Sequence, residues 1–145
     1  MKRLPLAALA LVLTAPFWDL GHPLWEVDDA RYAEVPRELH AAGWPLIPTL
    51  NGMDYIEKPP LIYWLGALSY SVFGVSEAAA RLPLAGLALL GLAGVAWLGS
   101  WLFSPTVGVT AAVLLGTSIE YSLLSHLQTP DMAVAVFLLW TTGLL

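Results

Sequence analysis

Apolar residues gather in long uncharged blocks along this chain. Arg81 to Phe103 holds 22 residues after its arginine without a charge. Thr106 to Ile119 is uncharged, with the apolar run resuming past Glu120 to Leu124, and Met132 to Leu145 is uncharged to the last residue. A bilayer core takes about 20 apolar residues of helix. The first block fits outright, the second nearly so, and the third stops after 14 residues. The N-terminal run MKRLPLAALALVLTAPFW adds a fourth. The pattern predicts an all-α polytopic membrane protein with spans over about 4–18, 82–103, 106–125 and 131–145, the last cut short. Chains do not ordinarily stop inside a span, so the expectation is the N-terminal part of something longer or a truncated product. The first run could instead be a secretory signal peptide, but a proline follows the candidate cleavage residue, which disfavours cutting. Read as an uncleaved span, it has Lys2 and Arg3 holding its start in the cytoplasm and Trp18 and Trp25 at the outer interface.

Between the first two spans lies a polar loop over about 19–81. Within it Tyr32, Val35, Leu39 and Ala42 recur at helical spacing, with Arg31, Glu34 and Glu38 on another face. This predicts a short amphipathic helix on the membrane surface, capped by Asp28 or Asp29, ended by Gly43, and kinked or split by Pro36. GWPLIPTLNGMDY reads as irregular chain with a turn at Asn51-Gly52. Leu61 to Val75 is ambiguous. Its 15 residues reach about 22 Å as helix, short of a core of about 30 Å, so a second interfacial helix is expected. If it does not cross, Asp131 emerges on the same side as Asp28; if it crosses, the two acids part.

Charge sharpens this picture. The chain is 58% hydrophobic and 12% charged, with a net charge of -5. Asp19 to Pro60 carries that whole imbalance: eight acids (Asp19, Glu26, Asp28, Asp29, Glu34, Glu38, Asp54, Glu57) against Arg31, Arg37 and Lys58. The lack of a basic cluster argues against nucleic acid as a partner. No cysteine is present, which excludes disulfides and thiolate metal sites.

Acids beside spans are costly to bury without a partner or a task. Asp28 and Asp29 follow the first span and Asp131 opens the last, where a membrane enzyme would place acids facing a shared cavity. Equally, Asp28 could cap one helix and Asp131 the next. Lys58, in Glu57-Lys58-Pro59-Pro60, is a point cation suited to a lipid carrier's phosphate, or a side chain snorkelling to headgroups. Glu120, inside a predicted span, could face an interior cavity or pair with His126. His22, His40 and His126 show no ligand spacing.

The blocks DDARYAEVPREL, GWPLIPTLNGMDYIEKPPLIYWL, SEAAARLP and TPDM, in this order and spacing, closely resemble the N-terminal part of the protein O-mannosyltransferase-like membrane glycosyltransferases. The match runs from about Trp25 to Met132. Well-known bacterial members of that family transfer aminoarabinose from a polyprenyl phosphate to lipid A. The resemblance implies a GT-C fold whose first outer loop forms interfacial helices above the active site. It places Asp28 at the family's first-loop catalytic aspartate, Asp131 at its second-loop acid, and Glu57 and Lys58 at the pair lining the site, where the lysine meets the donor phosphate; Arg31, or a residue beyond Leu145, is the second cation the chemistry would want there. Asp29, Glu57 and Tyr55 would line the site. Two departures stand out: Asp28-Asp29 replaces the family's common Asp-Glu, and His126 stands where arginine is frequent.

The function expected is sugar transfer from a polyprenyl-phosphate donor to a lipid, such as lipid A, or to a protein acceptor, at the outer face of a bacterial inner membrane. Such a reaction needs cations for the leaving phosphate and a carboxylate for the acceptor proton. No cofactor is certain; the acids leave room for a divalent metal without a dedicated motif. A transporter would account for the spans and Glu120 but would want broken helices and repeat symmetry. A non-catalytic assembly protein would account for the spans alone, and an inactive transferase remnant is the third alternative.

Overall fold

The structure is a computed structural model that describes residues 3–25 and 27–145, with side chains from residue 8 onward and Glu26 excepted. The expectations for Lys2 and the Arg3 side chain lie outside the described residues. In chain order the elements are α1 (Arg3–Thr14), a 3-10 turn (Ala15–Phe17), α2 (Val27–Ala41), β1 (Thr49–Leu50), β2 (Met53–Asp54), α3 (Leu61–Phe73), α4 (Glu77–Leu102), α5 (Pro105–Gly116), α6 (Ile119–Leu124) and α7 (Asp131–Leu144). They form two compact units. A helical unit comprises Met1–Trp18, Leu84–His126 and Asp131–Leu145; a polar unit comprises Asp19–Pro83 and Leu127–Pro130.

The helical unit packs through small residues. Without a hydrophobic drive between helices in lipid, close backbone approach and hydrogen bonds must hold them together. Where α4 meets α5, a side chain on Gly99 would put its Cβ 2.9 Å from the Gly108 Cα, so neither position has room for one. Tyr121 donates its hydroxyl to the Ala88 carbonyl at 2.6 Å. Trp97 stacks on Trp140, centroids 5.5 Å apart, and the Trp140 indole donates to the Leu90 carbonyl at 3.2 Å.

Among the described residues, α4 is the one helix long and apolar enough to cross a membrane by itself. The uninterrupted helix expected over 106–125 is in two pieces. The Thr117 hydroxyl turns back to the Val113 carbonyl at 2.9 Å, and the Ser118 hydroxyl accepts the Tyr121 N–H as N-cap of α6. Two hydroxyl residues in succession offer the backbone alternatives to the helical ladder. Glu120 therefore sits exposed in the first turn of α6, where the helix dipole favours a carboxylate.

The polar unit is built on α2 and α3, which pack together. Pro36 lies inside α2, which continues through it as one helix and is not split. The reason is tertiary: Gly66 of α3 sits against the proline ring so closely that an added Cβ would be 2.8 Å from it. The Tyr70 hydroxyl, donating to the Ala33 carbonyl at 3.1 Å, fastens the same two helices. The buried face of α2 is wider than the expected stripe, comprising Asp29, Tyr32, Ala33, Val35, Pro36 and Leu39, while Ala42 lies exposed beyond the helix end.

Gly43 ends α2 as expected, at φ 77. The Trp44 N–H returns to the Leu39 carbonyl at 3.0 Å and the Gly43 N–H to that of His40 at 3.3 Å, the bond pair of a Schellman motif. The chain after it is more ordered than predicted. Thr49 pairs with Asp54 and Leu50 with Met53 across an antiparallel hairpin. Asn51 and Gly52 both have positive φ, 54 and 75, the turn chemistry that a two-residue hairpin needs. Glu38 holds the hairpin: its carboxylate accepts the Thr49 hydroxyl at 2.5 Å and the Asn51 N–H at 2.6 Å. These bonds, the Thr49 hydroxyl foremost, hold the Glu38 carboxyl below its usual range.

Candidate functional site

Six of the seven residues expected at the site fall in the polar unit, and five of them share one neighbourhood. Asp28 and Arg31 stand one turn apart on α2 and form an ion pair, Nη1 to Oδ1 3.1 Å, with 60% of the Asp28 side chain exposed. Such an exposed pair contributes little to the stability of the fold, so its atoms are available to other partners at little cost.

Tyr55 and Glu57 both act on Arg31. Burial pulls the guanidinium down, but Asp28, the adjacent Tyr55 hydroxyl and Glu57 outweigh it and hold its pKa above the ordinary value. Lys58 lies beside Glu57, Nζ to Oε1 4.0 Å, with 40% of the lysine side chain exposed. The group therefore offers two cations and two carboxylates on one surface.

An aromatic floor supports these charges. Tyr63 of α3 stacks on Tyr32 of α2, centroids 6.1 Å apart, and meets the edge of Tyr55 at 5.9 Å. The buried hydroxyls of Tyr55 and Tyr63 receive no well-aligned hydrogen bond, although Tyr55 borders both Arg31 and Tyr63. Tyr32 is pushed up by burial, then by Tyr55, Asp28 and Glu57, with Arg31 opposing. Sequence reasoning missed Tyr32 and Tyr63; their spacing signals only a helix face.

Asp29, expected to line the site, is elsewhere. It is 3% exposed and its Oδ2 meets the Arg81 guanidinium at 2.8 Å. Neither acid caps α2, since the helix already includes both in its first turn. Asp131 belongs to the helical unit, exposed as the first residue of α7. Among the described residues no three His, Cys, Asp or Glu side chains converge to hold a metal ion.

A mostly helical chain with a membrane-capable helix and an acid–cation surface outside it defines a class of membrane protein. Comparison with known proteins makes that class specific. Residues 57–145 match the model of the dolichyl-phosphate-mannose-protein mannosyltransferase family, and the chain belongs to that family. The undecaprenyl phosphate-alpha-4-amino-4-deoxy-L-arabinose arabinosyl transferase of Edwardsiella ictaluri is 33% identical over 127 residues, 83% of this chain and 23% of that protein. Its Pseudomonas savastanoi namesake is 47% identical over 68 residues, covering 46% of this chain and 13% of that protein. The crystal structure of ArnT from Cupriavidus metallidurans bound to undecaprenyl phosphate matches with a TM-score of 0.77 and 29% identity, over 98% of this chain and 26% of that one. The chain thus spans about a quarter of the length of the relatives it matches.

Proposed function

We propose that this chain is the part of a GT-C glycosyltransferase that receives a polyprenyl-phosphate sugar at the outer face of a bacterial inner membrane. The acceptor is a lipid such as lipid A or a protein. The observation that carries the reading is the surface uniting Asp28, Arg31, Tyr55, Glu57 and Lys58, in a chain whose fold matches ArnT bound to undecaprenyl phosphate.

Chemistry assigns the roles. Transfer breaks the bond from the sugar's anomeric carbon to the phosphate oxygen and forms one to the acceptor oxygen, leaving polyprenyl phosphate. Negative charge grows on that phosphate, and fixed cations stabilise it. Lys58 supplies a compact ammonium for this purpose and Arg31 a fork of donors. An acceptor hydroxyl must lose its proton; Asp28, exposed and held by one ion pair, is the candidate base, with Asp131 orienting the acceptor or sharing that role. Glu57 and Tyr55 shape the surface.

In this reading α3 lies in the interface instead of crossing. Its 13 residues reach about 20 Å, and Leu61, Trp64, Leu68 and Val72 leave one face apolar and exposed.

A chimera tests the function. Residues 1–145 replace the matched quarter of Cupriavidus metallidurans ArnT, and transfer from a polyprenyl-phosphate sugar is measured in proteoliposomes. The proposal expects transfer well above a chimera carrying Asp28→Asn. A chimera that inserts normally but transfers nothing overturns it.

A further inference from the structure

The adjacent aspartates of α2 have opposite surroundings. Asp28 is largely exposed, while the Asp29 and Arg81 side chains are 2% and 0% exposed. Arg81, on α4, donates to the carbonyls of Leu20 (3.0 Å), His22 (2.6 Å) and Pro23 (3.3 Å) as well as to Asp29. Asp29 also accepts the Trp25 N–H at 3.2 Å through Oδ2 and the Gln128 N–H at 2.8 Å through Oδ1. One buried ion pair therefore fixes three stretches of backbone: the strap before α2, the first turn of α2, and Leu127–Pro130.

We propose that Asp29 and Arg81 are a positioning pair that sets the direction of the Asp28 carboxylate. This rests on the transferase reading above. Among the described residues, the ion pair that holds the Asp28 side chain is the exposed one to Arg31. Its direction follows from the rotation of α2 about its own axis. Consecutive side chains on a helix diverge by about 100°, so anchoring Asp29 inward turns Asp28 onto the surface that carries Arg31 and Tyr55. Besides this pair the strap is held by Leu24, packed against the cluster of Ala33, Tyr70, Ala79 and Ala80, and by the His22 ring against that of Trp25, which is itself 69% exposed.

A buried ion pair is a poor means of stabilising a fold, and apolar side chains of like volume often serve as well or better. They cannot hold several backbone groups in a set geometry, whereas a guanidinium with five donors and a carboxylate with two oxygens can. Asp29→Leu/Arg81→Leu exploits this difference.

In the ArnT chimera, Asp29→Asn is expected to lower kcat about 10- to 100-fold, as misplacement of a reacting group does, with the donor KM within about two-fold of the unmutated chimera. Asp29→Glu, which keeps the charge, should recover most of the loss. Asp29→Leu/Arg81→Leu should insert and melt like the parent while its kcat stays low. Parental kcat in that double variant would show a merely structural pair and overturn the proposal, as would a raised KM at unchanged kcat.

The 145-residue chain gives a readout independent of activity. Asp29→Ala should speed amide exchange at Trp25 and Gln128, and unchanged exchange at both overturns the brace. An inactive unmutated chimera would sink the transferase reading and the catalytic half of this proposal, while exchange would still decide whether the brace exists.

Discussion

The two units of this chain are held by different physics. Of its charged residues, all but Lys2, Arg3, Glu120 and Asp131 lie in the polar unit. There, beside the Gly66–Pro36 approach, the fixed points are polar groups reaching several backbone segments: Asp29 with Arg81, and Glu38 with its hairpin. In the helical unit they are absences, glycines that let backbones meet, with Tyr121 and Trp140 adding one hydrogen bond each. The placement proposed above, with the helical unit in lipid and the polar unit at its edge, accounts for the contrast. Helices surrounded by hydrocarbon gain little from apolar burial against each other, so shape must do the work. A segment bordering water can use charge, and a site for a phosphate needs it.

The contrast predicts where substitutions act. The largest effects are expected at the two acids proposed to take part in transfer. Asp28→Asn and Asp131→Asn in the chimera should each cut transfer about 100- to 10,000-fold, the range for a general base, at unchanged insertion. The Asp28 side chain is 60% exposed, so asparagine removes its charge with little structural penalty, and parental turnover in Asp28→Asn would exclude that residue from the chemistry.

Shape should matter next. Gly108→Leu drives a side chain into the backbone of α4 near Ala96 and should destabilise the helical unit by about 1–3 kcal/mol or more, read as a lower melting temperature in micelles. Gly66→Ala should cost a similar amount through its contact with Pro36, this time loosening α2 from α3. Parental melting in both would contradict the close approach described for each unit.

A smaller effect comes from Glu38. Its folded pKa is depressed, so its contribution to stability is fully present above the ordinary glutamate value of about 4.3 and is lost as pH falls through the folded value. Protection of the Asn51 and Gly52 amides relative to their intrinsic exchange rates should fall over that acid window. Glu38→Gln should remove the pH dependence; an unchanged profile would show that the hairpin stands without the carboxylate.

Much of this was legible from sequence because it is local. The end of α2 at Gly43, the Asn51-Gly52 turn, the shortness of α3 and the span in α4 each rest on neighbouring residues. The family resemblance, carried by long blocks, named the residues of the acid–cation surface, whose roles are the proposal made above. What escaped depends on distance or on competition. Asp29 and Arg81 are far apart in sequence, and no periodicity pairs them, so Asp29 looked like a second site acid. Pro36 was expected to kink or split its helix, and the residue that sits against its ring, Gly66, lies on another one. The break at Thr117-Ser118 hid inside an apolar run, where hydropathy outweighs the backbone bonding of two hydroxyls.

The central claim is that the polar unit receives the donor's phosphate, and Lys58 tests it most directly. A headgroup anchor tolerates any long cation, whereas a clamp on a phosphate depends on the compact ammonium. Kinetics of the ArnT chimera with a polyprenyl-phosphate sugar should show Lys58→Ala slowed roughly 30- to 1000-fold, equivalent to about 2–4 kcal/mol of transition-state stabilisation, and Lys58→Arg clearly impaired. If both variants turn over within a few-fold of the parent chimera, Lys58 is an anchor and the claim is wrong.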